Sequence, residues 1–228
     1  MDAEDQFSQL AGLIGEPTRA KILWHLLDGR AFTATELSLM AEVSPQGASM
    51  HLSKLVAAGL LRVESQGRYR YYSFSSRDVA YAVEAIANLM PPARKDQADA
   101  SLINGNIKYC RSCYDHMAGK IGVTLTDQLL KHRIIVPSGE LYEVTPNGRK
   151  WFAALDISID ELKEQRRHFA KPCLDWTERR HHLAGSLGAA LLDKMLQEDW
   201  IRTTRNSRAL VVTGKGEKKM QELLGVKA

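Results

Sequence analysis

Residues 44–74, SPQGASMHLSKLVAAGLLRVESQGRYRYYSF, read as a helix running into a hairpin. Ser44 suits an N-cap and Pro45 the first helical position. Ala48, Leu52, Leu55 and Val56 recur at helical spacing and form the expected buried stripe. Gln46, Ser49, Met50, His51, Ser53 and Lys54 are left on or near the opposite side. Short or flexible polar groups of this kind reach base edges and phosphates without bulky obstruction. Gly59 closes the helix. LLRVESQGRYRYYSF then alternates as two strands around a turn expected at Ser65-Gln66-Gly67, with Arg68 and Arg70 on one face. A basic hairpin directly after such a helix reads as a wing.

The flanking segments agree with this reading. FSQLAGLIGEPTRAKILWHLLDG reads as one or two helices, with Pro17 in a first turn and Ala20, Leu23, Trp24 and Leu27 facing the core. A second helix follows Thr33, capped by Thr33 or Thr35 (Thr33 with Glu36 fits a capping box), and buries Leu37, Met40 and Ala41. Two short helices joined by a tight turn, the second polar outside, make a helix-turn-helix. SSRDVAYAVEAIANLM adds a further helix capped by Ser75 or Ser76.

IGEPTRAKILWHLLDG, the stretch from Ala34 to Leu61 and GRYRYYSF together resemble winged-helix regulators of the ArsR type, over roughly residues 8–90. The resemblance implies a dimeric DNA-binding repressor controlled by a small inducer. It places the dimer interface on the first and last helices, around residues 8–15 and 76–90. Many such proteins sense metals, but this chain departs from both common ligand arrangements. ELSLMAEV carries no cysteine pair, and SRDVAYAVEAIAN carries no histidine.

Charge is unevenly placed. Residues 1–90 hold eight of the 31 Lys and Arg and ten of the 27 Asp and Glu, leaving 23 basic and 17 acidic residues downstream. Between Ser44 and Arg70, however, Lys54, Arg62, Arg68 and Arg70 face only Glu64, a local positive face suited to few phosphate contacts. The acidic start MDAEDQFSQL is not a signal peptide, and no apolar run is long enough to span a membrane. Three cysteines with mixed spacing argue for a reducing compartment, so a cytoplasmic protein is expected.

MPPARKDQAD reads as a linker over residues 91–98, dividing a 1–90 domain from a 99–228 domain. The latter contains a duplication. HMAGKIGVTLTDQLL from His116 and HLAGSLGAALLDKML from His182 match at an offset of 66, glycines and histidines included. Each continues through a helix, an apolar strand, a threonine (Thr145, Thr213), a glycine (Gly148, Gly216) and another helix. The expected architecture is mainly α with small β hairpins. It joins an N-terminal winged helix-turn-helix to a C-terminal domain of two duplicated winged-helix-like units.

The functional expectation is a DNA-binding transcriptional regulator, a homodimeric repressor released from double-stranded operator DNA by a small-molecule effector. Tyr114, Asp115, His116, Asp175, Trp176, Arg179 and His182 would line or support an organic effector's pocket between the duplicated units. Cys110, Cys113 and Cys173 leave a metal or redox alternative open. The cysteine pair reads as lying in a helical run, and the second copy lacks it, so no metal cofactor is expected. An effector-independent architectural DNA binder is a third alternative. No nucleophile elbow, phosphate loop or metal-hydrolase motif is present, so an enzyme is not expected.

Overall fold

The computed structural model describes residues 2–90, 105–204 and 207–226, and the chain divides into two compact units after Leu89. Residues 91–98, expected as a linker, lie outside the described residues.

The first unit contains α1 (Ala3–Gly15), α2 (Pro17–Leu26), β1 (Phe32–Thr33), α3 (Ala34–Met40), α4 (Pro45–Ala57), β2 (Leu61–Gln66), β3 (Tyr69–Phe74) and α5 (Arg77–Asn88). Its helix starts are written in side chains. Glu16 separates α1 from α2 and accepts from the Thr18 and Arg19 N–H groups at 3.2 and 2.9 Å. Thr33 and Glu36 form the expected capping box of α3, Ser44 caps α4, and Ser76 rather than Ser75 caps α5. The core is built on Ile22, Leu23, Leu26, Leu27, Leu37, Leu52 and Leu55, all at most 1% exposed. Ala20 is exposed and Trp24 half-buried, contrary to the expected stripe. Helix α2 packs against both α3 and α4, so its buried face is wide and centred on Ile22 and Leu26.

The three strands form one antiparallel sheet in the order β1-β3-β2. The register runs from Leu61 opposite Phe74 to Gln66 opposite Tyr69. The turn is therefore Gly67-Arg68, shifted from the expected Ser65-Gln66-Gly67. A two-residue hairpin turn needs a positive φ, and Gly67 supplies it at 58°.

The second unit contains α6 (Gly105–Tyr109), β4 (Arg111–Cys113), β5 (His116–Ala118), α7 (Gly119–Lys131), β6 (Ile135–Ser138), β7 (Leu141–Val144), α8 (Pro146–Ala153), α9 (Ile159–Lys163), β8 (Lys171–Leu174), β9 (His181–Ala184), α10 (Gly185–Gln197), β10 (Ile201–Thr203), β11 (Leu210–Val212) and α11 (Gly214–Leu224). The duplication is a hairpin–helix–hairpin–helix unit used twice. Equivalent residues repeat the same backbone: Gly119 and Gly185 have φ of 79° and 85°, Arg133 and Asp199 of 52° and 56°. Thr145 and Thr213 each cap a helix by accepting from Gly148 and Gly216.

Each copy leans on the other. The Ser112 N–H donates to Arg208 O at 2.9 Å and the Leu210 N–H to Cys110 O at 2.9 Å, tying β4 to the hairpin of the second copy. Tyr142 N–H donates to Ala170 O at 3.0 Å, a reciprocal tie from the first copy to the second. Leu183 N–H donates to Thr126 Oγ1 on α7 at 2.8 Å. A single apolar core runs through both copies and includes Ile121, Leu125, Leu129, Phe152, Leu187, Leu191, Met195 and Trp200.

Gly148 and Gly216 are fixed by close approach: a Cβ there would lie 2.0 Å from Ile134 O and from Trp200 O respectively. Gly148→Ala or Gly216→Ala should each destabilise the second unit by about 2 kcal/mol or more, since overpacking against backbone cannot relax by side-chain rotation. Urea unfolding of each variant checks this, with Gly12→Ala as the comparison, because nothing lies within 4 Å of that position.

Candidate nucleic-acid interface and metal centre

On α4, Gln46, Ser49, Met50, Ser53 and Lys54 are exposed, and Met50 keeps 51% of its surface. His51 is different. It is half-buried, with Nδ1 3.2 Å from Glu16 Oε2 and 3.5 Å from Arg19 Nη1. Arg19 itself donates to Leu13 O and Gly12 O at 2.6 and 3.0 Å, satisfying carbonyls at the end of α1. His51 thus lies in a polar junction between helices, while its neighbours form the open face. In the hairpin, Arg70 is an exposed strand residue. Arg68 sits in the turn, stacked 5.0 Å from the Tyr69 ring centroid. The two arginines lie at the tip of the hairpin.

The second unit brings Cys113, His116, Cys173 and His182 together, with one potential ligand atom from each and all four within 4.8 Å of one another. Cross-strand register assembles them. Cys113 pairs with His116 across β4–β5, and Cys173 pairs with His182 across β8–β9. The first pair flanks a two-residue turn, Tyr114-Asp115, with Tyr114 at φ 57°. Cys113, His116 and His182 are buried, and Cys173 is 9% exposed. The His116 and His182 Nε2 atoms are 3.2 Å apart.

The outward-facing nitrogens meet carboxylates. His116 Nδ1 lies 3.3 Å from Asp115 Oδ1, and His182 Nδ1 lies 3.4 Å from Asp175 Oδ2. Each carboxylate is in turn held by an arginine. Arg167 makes a two-point pair with Asp115, and Arg111 Nη2 donates to Asp175 Oδ2 at 3.0 Å. Asp175 also accepts from the N–H groups of Gly119, Thr177 and Glu178 and from the Thr177 hydroxyl. Burial pushes the Asp175 carboxyl up, but His182, Arg111, Thr177 and Gly119 outweigh it and hold it well below the usual carboxylate range. Burial likewise raises Asp115, and His116 with Arg167 draw it below its ordinary value. Burial lowers both imidazoles, yet their carboxylate and Cys113 partners raise them overall, which makes them basic donors.

The arrangement corrects two expectations. Cys113 lies on the β4–β5 hairpin, while Cys110 closes α6, its N–H donating to Asn106 O at 3.0 Å, so the pair does not share one helical run. Cys110 is fully buried in the apolar core, where burial pushes its thiol up to about 12, partly offset by Arg111. The expectation that a metal ion has no place here is also overturned. Two thiols and two imidazoles converge on one point, a donor set that fits a thiophilic cation. The second copy contributes one cysteine, and one is enough because the histidine across the strand completes its pair.

Of the residues expected around an effector, Asp115, His116, Asp175 and His182 are gathered at this centre. Trp176 is 8% exposed and lies under the Arg111 guanidinium, 5.2 Å from ring centroid to Cζ. Tyr114 is 41% exposed in the turn. Arg179 is half-buried, at φ 56°, and its N–H donates to Asp175 O at 2.8 Å. Sequence reasoning passed over Arg111. The signal available for Arg111 was its place between two cysteines, an arginine in an otherwise apolar-facing strand.

An open polar helix face beside a basic wing defines a winged helix-turn-helix DNA reader. Comparison with known proteins agrees. A helix-turn-helix domain family matches residues 14–64. The chain is 38% identical over 220 residues to the uncharacterized HTH-type transcriptional regulator YdfF of Bacillus subtilis (strain 168), spanning 96% of this chain and 97% of that one. It therefore belongs to the HTH-type transcriptional regulators, a non-enzymatic family. Solved structures are similar to part of the chain. HlyU from Vibrio cholerae N16961 is 28% identical with a TM-score of 0.36, covering 39% of this chain and 97% of that one. NolR from Sinorhizobium fredii is 24% identical with a TM-score of 0.36, covering 41% and 97%. Among the described residues no helix is long and apolar enough to cross a membrane.

Arg111 and Asp175 are both fully buried. Arg111→Leu should cost about 3–5 kcal/mol of stability, because it strands a buried carboxylate. Chemical denaturation of the full chain measures it.

Proposed function

We propose that the chain is a homodimeric, cytoplasmic repressor that binds operator DNA through α4 and the β2–β3 wing. Its second unit receives the small effector that controls release. The open face of α4, followed directly by a basic hairpin tip in a chain that matches an HTH-type transcriptional regulator along nearly its whole length, carries the reading. Gln46, Ser49 and Met50 near the start of α4 approach base edges, and Lys54, Arg68 and Arg70 meet phosphates.

Homodimerisation is supported by apolar surface on the first and last helices of the unit. Helix α1 buries none of its residues, and Phe7 and Leu10 are 73% and 39% exposed. On α5 and just beyond it, Ile86 and Leu89 are 46% and 83% exposed. A second copy covering these surfaces would remove them from water. Control from the second unit is supported by its buried cluster of basic imidazoles and thiols, which offers a small cation a ready set of donors.

Lys54→Ala and Arg70→Ala should each weaken binding to all sequences about equally. Each should also lower the slope of log affinity against log salt by about 1 per subunit. Gel-shift titrations over a salt series check this; unchanged slopes in both variants would remove the wing and α4 from the interface. Phe7→Glu combined with Leu89→Glu should turn the dimer into a monomer in sedimentation velocity, with the helical content preserved.

A further inference from the structure

We infer that Cys113, His116, Cys173 and His182 bind one thiophilic divalent cation of the zinc class in a closed tetrahedral centre that joins the two copies of the repeat. The inference rests on the proposal that this cluster in the second unit takes a small cation and names the class of that ion; metal content tests it without reference to DNA binding.

The geometry of the imidazoles carries it. Asp115 and Asp175 lie against the Nδ1 atoms of His116 and His182 and are themselves held as carboxylates by arginines. A carboxylate at Nδ1 favours a proton on that nitrogen, leaving the lone pair on Nε2. The two Nε2 atoms approach one another to 3.2 Å in a buried site beside two cysteine sulfurs, so a cation held between them would meet all four donors at once. A tetrahedral ion with bonds of about 2.05 Å to nitrogen and about 2.3 Å to sulfur spaces its ligand atoms about 3.3–3.8 Å apart. The observed nitrogen pair, at 3.2 Å, lies just short of that spacing, and all four ligand atoms lie within 4.8 Å of one another, so the site closes on an ion by inward movement of its thiols.

Charge and access narrow the class of ion. Binding replaces two thiol protons with the metal, so a divalent cation and two thiolates leave a neutral core and release two protons to solvent. A neutral product suits a buried site better than the net charge left by a monovalent or trivalent ion. Four protein donors with no open position describe a structural or sensory centre and not a hydrolytic one. Soft sulfur with imidazole disfavours magnesium and calcium. Because Cys113 and His116 come from the first copy and Cys173 and His182 from the second, the ion bridges the hairpins of both.

The test uses the full chain, purified under reducing conditions without chelator and exchanged into metal-free buffer with one added equivalent of Zn2+. Elemental analysis should find about one zinc ion retained per chain, and zinc-edge X-ray absorption should give a shell of two sulfur and two nitrogen atoms. Cobalt substitution should give the visible bands of a tetrahedral site with thiolate charge transfer. Cys113→Ser and Cys173→Ser should lose retention, while Cys110→Ala keeps it. Asp115→Asn should bind about tenfold more weakly in competition with a chromophoric chelator. No retained zinc in the reduced wild type, or a shell without sulfur, overturns the inference. So does retention that depends on Cys110 and not on Cys113. Where a serine variant does not fold, the absorption spectrum of the wild type decides alone.

Discussion

The Asp175 carboxylate takes hydrogen bonds from both copies of the repeat at once. One oxygen accepts from the Arg111 guanidinium and from the Gly119 N–H, both in the first copy, while the other accepts from Thr177 and Glu178 in its own loop. A buried carboxylate costs several kcal/mol to desolvate and persists only when fully paired. Its demand for partners fixes where Arg111 lies, and so the path of β4. It ties down the N-terminus of α7 through the Gly119 N–H, and it lies beside Nδ1 of His182. The converging thiols and imidazoles depend on all three.

The two units keep order by different means. In the first, α1 buries no residue of its own and is held through polar contacts from Arg19 to its last carbonyls. Its outward face stays apolar, and the docking of helix on helix is directional, because hydrogen bonds specify angle where apolar packing alone does not. In the second unit the copies exchange backbone hydrogen bonds through their strand edges. The outer edge of β4 is thereby paired in part with residues 208–210 of the second copy.

Helix caps and glycine spacing made much of this legible from the chain alone. Thr33 with Glu36, Ser44 with Pro45, and the wing around Gly67 all act as the residues suggest. So does the duplication, because matched glycines at 119 and 185, and at 148 and 216, encode matched backbone. The centre itself was obscured for a physical reason. Spacing along the chain groups Cys110 with Cys113, but Cys110 closes α6 and packs in the apolar core while Cys113 lies on β4 at the centre. What joins Cys113 to His116, and Cys173 to His182, is cross-strand register, which depends on where the turn falls and not on the interval between residues. The tie from Asp175 to Gly119 joins residues far apart in the chain and leaves no local mark.

The two hairpins at the centre differ in how soon they are complete. Cys113 and His116 flank a two-residue turn, whereas Cys173 and His182 flank a longer loop in the second copy. A chain emerging from the ribosome therefore presents the first two donors well before the others exist. Until the second hairpin follows, those two residues are only two of the four donors of the cluster. Completion of the cluster thus follows the order of synthesis, because two of its four donors belong to the second copy of the repeat.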